Sequence, residues 1–116
     1  MTEETIFTKI IKHEIKSDIR YQDEDVIVFA DIAPKAKIHL LIVPTKPYPT
    51  VNDIPAEEIG IVSKMFLIAQ KMAKELNIDE SGYRLVINCN EDGGQEVPHL
   101  HMHLLGGENL SFNFIT

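Results

Sequence analysis

Apolar positions along the chain recur at two different intervals, and the switches between them mark out the elements. Ile6, Phe7, Ile10 and Ile11 fall at helical spacing, which predicts a short amphipathic helix over residues 5–13. Residues 21–25 (Tyr-Gln-Asp-Glu-Asp) read as a strand end running into a polar turn. Two β-branched and aromatic runs follow, 26–30 and 38–43, the second bounded by Pro34 and Pro44. Their connection is too short for a crossover helix, so they are expected to pair antiparallel. Residues 44–55 contain four prolines and read as a loop.

From residue 56 to 77 the interval is helical again. Ile59, Val62, Phe66, Ala69, Met72 (or Ala73) and Leu76 follow one stripe, with Glu57, Lys64, Lys71 and Lys74 polar between them. Ile61, Met65 and Ile68 are apolar too, so the greasy surface is wider than one core-facing stripe requires. The extra face is expected to pack on another subunit; the alternative is a helix sunk deeply in its own core. Residues 83–88 predict a strand, 90–96 a glycine-containing polar loop, and 97–105 a final strand closed by Gly106-Gly107. Helix, three strands, long helix, two strands is the order of an α+β domain on one antiparallel sheet, occupying the whole chain, 1–116.

Composition narrows the class. With 116 residues there is room for one domain and no second core. A net charge of -7, with the 11 basic residues scattered, sets up a field that repels DNA and RNA but leaves room for a mononucleotide held locally. One cysteine, Cys89, excludes an intramolecular disulfide; set behind Leu85, Val86 and Ile87, it is expected to be a packed core thiol. Glu3 and Glu4 at an N-terminus without a long apolar run argue against a secretory leader, and the longest apolar runs are too short to cross a bilayer. A cytoplasmic protein that contacts no membrane is the expectation.

The chemistry is concentrated in Pro98-His99-Leu100-His101-Met102-His103-Leu104-Leu105. On a strand, alternate side chains share a face, so His99, His101 and His103 point one way and Leu100, Met102 and Leu104 the other. Strand histidines without a role would not fall in strict alternation three times. A metal site is a second reading. Neighbouring imidazoles can converge on one zinc, but the outer pair lies about 13 Å apart on a straight strand, so His39 or His13 would have to complete the set. The favoured reading is nucleophilic attack by a bare imidazole nitrogen on phosphorus, with His101 flanked by an imidazole on each side. It requires an anion cradle, and Asn90-Glu91-Asp92-Gly93-Gly94-Gln95-Glu96 lies immediately upstream, its glycines freeing backbone N–H groups. A hairpin turn is the plainer reading of that loop. Asp31 could accept two hydrogen bonds from a ribose diol, with Phe29 and Ile32 about a base, or could simply cap a turn.

The segment His99-x-His101-x-His103-x-x, with Gly93-Gly94-Gln95 before it and Gly106-Gly107 after it, resembles the signature of the histidine triad (HIT) superfamily. The likeness extends to Ile6-Phe7 with Lys9-Ile10-Ile11, to Phe29-x-Asp31-Ile32-x-Pro34 and His39, and to Tyr83-Arg84 with Asn88. It is nearer the Hint branch of purine nucleoside phosphoramidases than the dinucleoside polyphosphate hydrolases. The resemblance implies a homodimer joining two five-stranded antiparallel sheets, each with one long and one short helix. It implies hydrolysis of a purine nucleoside phosphoramidate to a mononucleotide through a nucleotidyl-histidine, without cofactor or metal. Dinucleoside polyphosphate hydrolysis and non-catalytic nucleotide binding are the alternatives. His101 would be the nucleophile, His99 and His103 would position it and the phosphate, and His39 would extend the imidazole network. Asp31 would bind the ribose, Phe7, Phe29 and Ile32 the base, and Asn88, Gly94, Gln95 and Glu96 the phosphate. Four departures stand out: Thr5-Ile6-Phe7-Thr8 where some relatives carry Cys-x-x-Cys for zinc, Glu96 in place of a serine, Pro98 before the first histidine, and a tail, 108–116, without tryptophan.

Overall fold

A computed structural model of the chain describes residues 4–111. Its elements are α1 (Ile6–Ile11), β1 (Ile19–Gln22), β2 (Val26–Ala30), β3 (Ile38–Pro44), α2 (Gly60–Glu75), β4 (Tyr83–Val86) and β5 (Met102–Gly106), with single 3-10 turns at Val51–Asp53 and Ala56–Glu58. The strands form one five-stranded antiparallel sheet in the order β1-β2-β3-β5-β4. This is the α+β architecture expected from the pattern.

Both faces of the sheet are covered, which is why β2 reads as a continuous apolar run. Val26, Val28, Leu40, Ile42, Leu100, Met102 and Leu104 pack with Met65, Ala69, Met72 and Ala73 of α2 in one core. Ile27, Phe29, Leu41 and Val43 turn the other way and meet Phe7 and Ile10 of α1. No helix among the described residues is long and apolar enough to cross a membrane.

Helix α1 spans only six residues and depends on its cap. Thr5 Oγ1 accepts from the N–H groups of Phe7 and Thr8 while Thr8 Oγ1 accepts from Thr5 N–H. The two threonines are thus joined to each other. Helix α2 ends where Asn77 adopts φ 57°, with Ile78 N–H donating to Ala73 O.

Three expectations need correction. Along α2 it is Met65, Ile68, Ala69, Met72 and Ala73 that are buried, with Ile61, Val62 and Leu76 half-buried against them. Ile59, Phe66 and Leu67 face outward at 54, 46 and 62% exposure. A helix with apolar residues on most of its circumference leaves its rotation to the sheet, and the sheet selected the other side. Next, the final strand begins at Met102, not at residue 97. Pro98 has no N–H to give a ladder, and His99 N–H bonds back to Val97 O at 2.8 Å, a tight bend. Lastly, Cys89 lies beyond the end of β4, half-buried, with Asn52 Nδ2 donating to its Sγ at 3.3 Å, so it is not a core thiol.

Candidate active site

The register of the sheet builds the site. Ile19 lies opposite Phe29, Phe29 opposite Leu41, and Leu41 opposite His103, so one row of side chains crosses four strands on the α1 face. One step toward the strand ends, Asp31 and His39 are joined through Asp31 N–H and His39 O. Phe7 of α1 stands over this row and meets Phe29, His99 and His101 edge-on, at ring-centroid distances of 5.4, 5.9 and 5.0 Å. His101 and His103 are 4.9 Å apart by the same measure. The alternation survives the early bend: the histidines stay on this face, while Leu100, Met102 and Leu104 join the α2 core.

Hydrogen bonds assign the proton on each ring. Pro44 O can only accept, so His99 Nε2 donates to it (2.8 Å), leaving His99 Nδ1 bare and buried without a partner among the described residues. His101 Nδ1 likewise donates to His99 O at 2.7 Å, so the bare nitrogen of His101 is Nε2. Lys35 N–H donates to His39 Nδ1 at 3.1 Å, which places the proton of His39 on Nε2. That proton is donated to His103 Nδ1 at 2.9 Å, with Asp31 Oδ2 at 3.5 Å as a longer second acceptor, and His103 is left with its own N–H on Nε2. Two adjacent rings therefore present opposite functions: a lone pair on His101 and a donor on His103.

Burial keeps these rings neutral. Desolvation is the leading cause in all four, setting the pKa values of His39, His99 and His101 below the usual imidazole range and pushing His103 down to about 4. The neighbouring rings His101 and His39 add to the effect at His103. At His101 it is opposed by the bond to His99 O and by the charges of Asp31 and Glu96.

The loop before the histidines is held from within. Asn88 Nδ2 donates to Gly93 O, Gln95 Oε1 accepts from Asn90 N–H, and Gln95 Nε2 donates to both Pro49 O and Val97 O. Gly94 N–H bonds to Glu91 O and Gln95 N–H to Asn90 O. Of the expected amide cradle over residues 94–96, only the Glu96 N–H is without a partner among the described residues. The Gln95 side chain braces the loop and the Asn88 side chain pins it. Gly93 is required for space, since a Cβ there would lie 2.4 Å from Cys89 O, and Gly94 for its φ of 80°.

Between α1 and the sheet lies a mainly apolar cavity of about 290 Å³. Phe7, Phe29, Asp31, Ile32, Gly94, Glu96, His101 and His103 all line it, as do Lys16, Ser17 and Lys35, which the sequence did not single out. Ile32 stands at its mouth, 99% exposed. Asp31 Oδ1 caps the turn through Ala33 N–H, so the ribose and turn-capping readings of this residue are compatible. A shallower depression lined by Thr50, Asn90, Glu91, Gln95 and Pro98 meets the cavity at Gly94 and Glu96. His39 lies behind His103, and His13, exposed at the end of α1, is not part of the site.

Among the described residues one group of ligand-type side chains comes within reach of a single ion: Asp31, His39 and His103. The facing nitrogens of the two histidines lie 2.9 Å apart, in line for a shared proton. Two imidazoles on one zinc hold their nitrogens roughly 3.4 Å apart with both lone pairs aimed at the ion. The arrangement is that of a hydrogen bond.

A bare, backbone-oriented imidazole nitrogen stands beside an imidazole donor, over an apolar cavity walled by a glycine loop. Residues 12–110 match the HIT domain pattern, and the chain belongs to that family, as a hydrolase. The purine nucleoside phosphoramidase of Escherichia coli (strain K12) is 54% identical over 110 residues, which are 95% of this chain and 92% of that protein. A histidine triad protein from Clostridium difficile is 44% identical with a TM-score of 0.91, over 98% of this chain and 100% of the other. A HIT family hydrolase from Clostridium thermocellum is 42% identical with a TM-score of 0.92, over 99% and 100%.

Proposed function

We propose that the protein hydrolyses the P–N bond of purine nucleoside 5′-phosphoramidates through a covalent nucleotidyl-His101. The observation that carries this reading is the bare Nε2 of His101, held by the bond from its Nδ1 to the His99 carbonyl and kept unprotonated by burial. The E. coli relative's name supports the substrate class.

The base lies between Phe29 and Ile32 under Phe7, and the Asp31 carboxylate accepts from the ribose hydroxyls. His103 Nε2–H and the Glu96 N–H donate to the phosphoryl oxygens, which carry more charge as the fifth bond forms. His101 Nε2 attacks phosphorus; the P–N bond breaks, and its electron pair leaves on the amine, which takes a proton from water at the mouth. The polar depression beyond Gly94 and Glu96 receives the amine. A water then attacks phosphorus, losing a proton, and the phosphorus–Nε2 bond breaks to restore His101. Overall, one water is consumed and a mononucleotide and an amine are released. The reading takes the whole chain as one HIT domain working in the cytoplasm, where a lone thiol persists.

With a fluorogenic adenosine phosphoramidate, His101→Ala should lose activity by roughly four orders of magnitude or more while still binding AMP. Rapid quench of the native enzyme should show a mass increment of one nucleotidyl group, and the increment should be absent from the variant. Full turnover by His101→Ala would remove the nucleophile assignment.

We also assign the exposed α2 face to a second copy of the chain. Ile59, Phe66 and Leu67 are exposed large apolar side chains at helical spacing, and β4 is an edge strand of the sheet on the same molecule.

A further inference from the structure

The row Ile19, Phe29, Leu41, His103 gives the cavity a direction. His103 marks the phosphate end. Three strand spacings of about 4.8 Å, roughly 14 Å in all, separate it from β1 and the residues that lead into it. Those residues are Lys16 and Ser17, and both line the cavity. Their segment is held to the end of β2 by Ala30 N–H donating to Asp18 O, and turns locally through Ile19 N–H donating to Ser17 O, each at 3.0 Å. Around them the cavity wall is Ile6, Ile10 and Ile15, which offer a ligand no hydrogen bond. Of the other polar groups of the cavity, Asp31, Glu96, His101 and His103 serve ribose and phosphate in the reading above, and Lys35 lines the opposite end, its N–H donating to His39 Nδ1. Neither the Lys16 ammonium nor the Ser17 hydroxyl has a hydrogen-bond or ion-pair partner among the described residues. An apolar slot lined at its far end by a lysine suits a ligand with an acceptor-rich edge.

We infer that Lys16, assisted by Ser17, reads the edge of the bound purine and selects 6-oxopurine nucleotides over adenine nucleotides. The inference rests on the proposed nucleotide site. An ammonium donates and cannot accept. Guanine presents two adjacent acceptors, O6 and N7, whereas adenine presents N7 beside the N6 amino donor, which a lysine repels. The serine hydroxyl can serve either base, so discrimination falls to the lysine.

Equilibrium binding of GMP, IMP and AMP by calorimetry tests this without requiring turnover. GMP and IMP should bind about fivefold tighter than AMP, the low end of such contacts because Lys16 is exposed. Lys16→Met should bring the three within twofold of one another, and Lys16→Arg should keep the order. Equal affinities in the native protein, or a preference unchanged in Lys16→Met, would overturn the assignment. Guanosine and adenosine phosphoramidates of one common amine should then show the same ratio in kcat/KM. If the nucleotides bind with a Lys16-dependent order but neither phosphoramidate is cleaved, the P–N hydrolysis reading fails and the base assignment stands. If both are cleaved equally, the base assignment fails and the hydrolysis reading stands.

Discussion

Histidine is useful in this site because hydrogen bonds that begin at the backbone decide which nitrogen of each ring is free. Pro44 O accepts from His99 Nε2–H, and His99 O accepts from His101 Nδ1–H. Lys35 N–H, His39 and His103 form a relay that leaves the donor of His103 facing the cavity. His39 is therefore a positioning residue. His39→Leu should lower kcat about tenfold by leaving His103 free to adopt the other tautomer, while His39→Gln, which keeps a donor, should recover most of it. A variant series in which Leu and Gln behave alike would contradict the relay. The pH dependence follows from the same burial. His103 titrates near 6.5 in an unfolded chain and at about 4 in the fold, so the unfolded state takes up the proton first. Stability is therefore complete above about pH 6.5 and falls as the pH is lowered toward 4. Thermal melts between about pH 7 and 4.5 should show Tm decreasing on the acid side, less steeply in His103→Asn. The acid limb of kcat/KM should lie below the ordinary imidazole value, because His101 is shifted in the same direction. The three histidines were plain in the sequence; their tautomers were not, because Pro44 O and the His39 ring are brought to them only by folding.

Secondary elements explain how a turn and a strand end become a site. The run from 97 to 105 was legible by its alternation, yet its first half is a bend, since Pro98 cannot join a ladder and Leu100 N–H bonds to Tyr48 O at 2.7 Å. That displacement brings His99 under Phe7 and aligns its carbonyl with His101. The loop upstream was legible as glycine-rich, but its glycines serve close packing and a positive φ as much as anion contact. Gly93→Ala would set a Cβ 2.4 Å from the Cys89 carbonyl oxygen, a backbone atom that cannot swing aside. It should cost about 1–3 kcal/mol of stability. Denaturant melts would measure that loss, and kcat/KM should fall with it because Gly94 and Glu96 move. If Gly93→Ala left the protein as stable and active as the native chain, the loop would be looser than its contacts imply.

Taken whole, the molecule is a sheet covered on both faces, with one side of its long helix exposing Phe66 and Leu67. In solution the native chain should sediment as a dimer, and Phe66→Lys should weaken it at least about thirtyfold, toward monomer. A monomeric native protein would remove the subunit assignment for α2. The tail noted for its lack of tryptophan, 108–116, extends past 111, outside the described residues. Much of this architecture was written locally: the order of elements, the antiparallel sheet, the excess apolar width of α2, and the facing of three imidazoles all follow from intervals between apolar side chains, because a period of two or of three to four residues dictates a face. Long-range register decided the rest. Which side of α2 meets the sheet, which amides of the glycine loop remain free, and the placing of Lys16 and Ser17 about three strands from His103 depend on pairings between distant segments. No local interval encodes those pairings, since each is settled by the packing of the whole sheet at once.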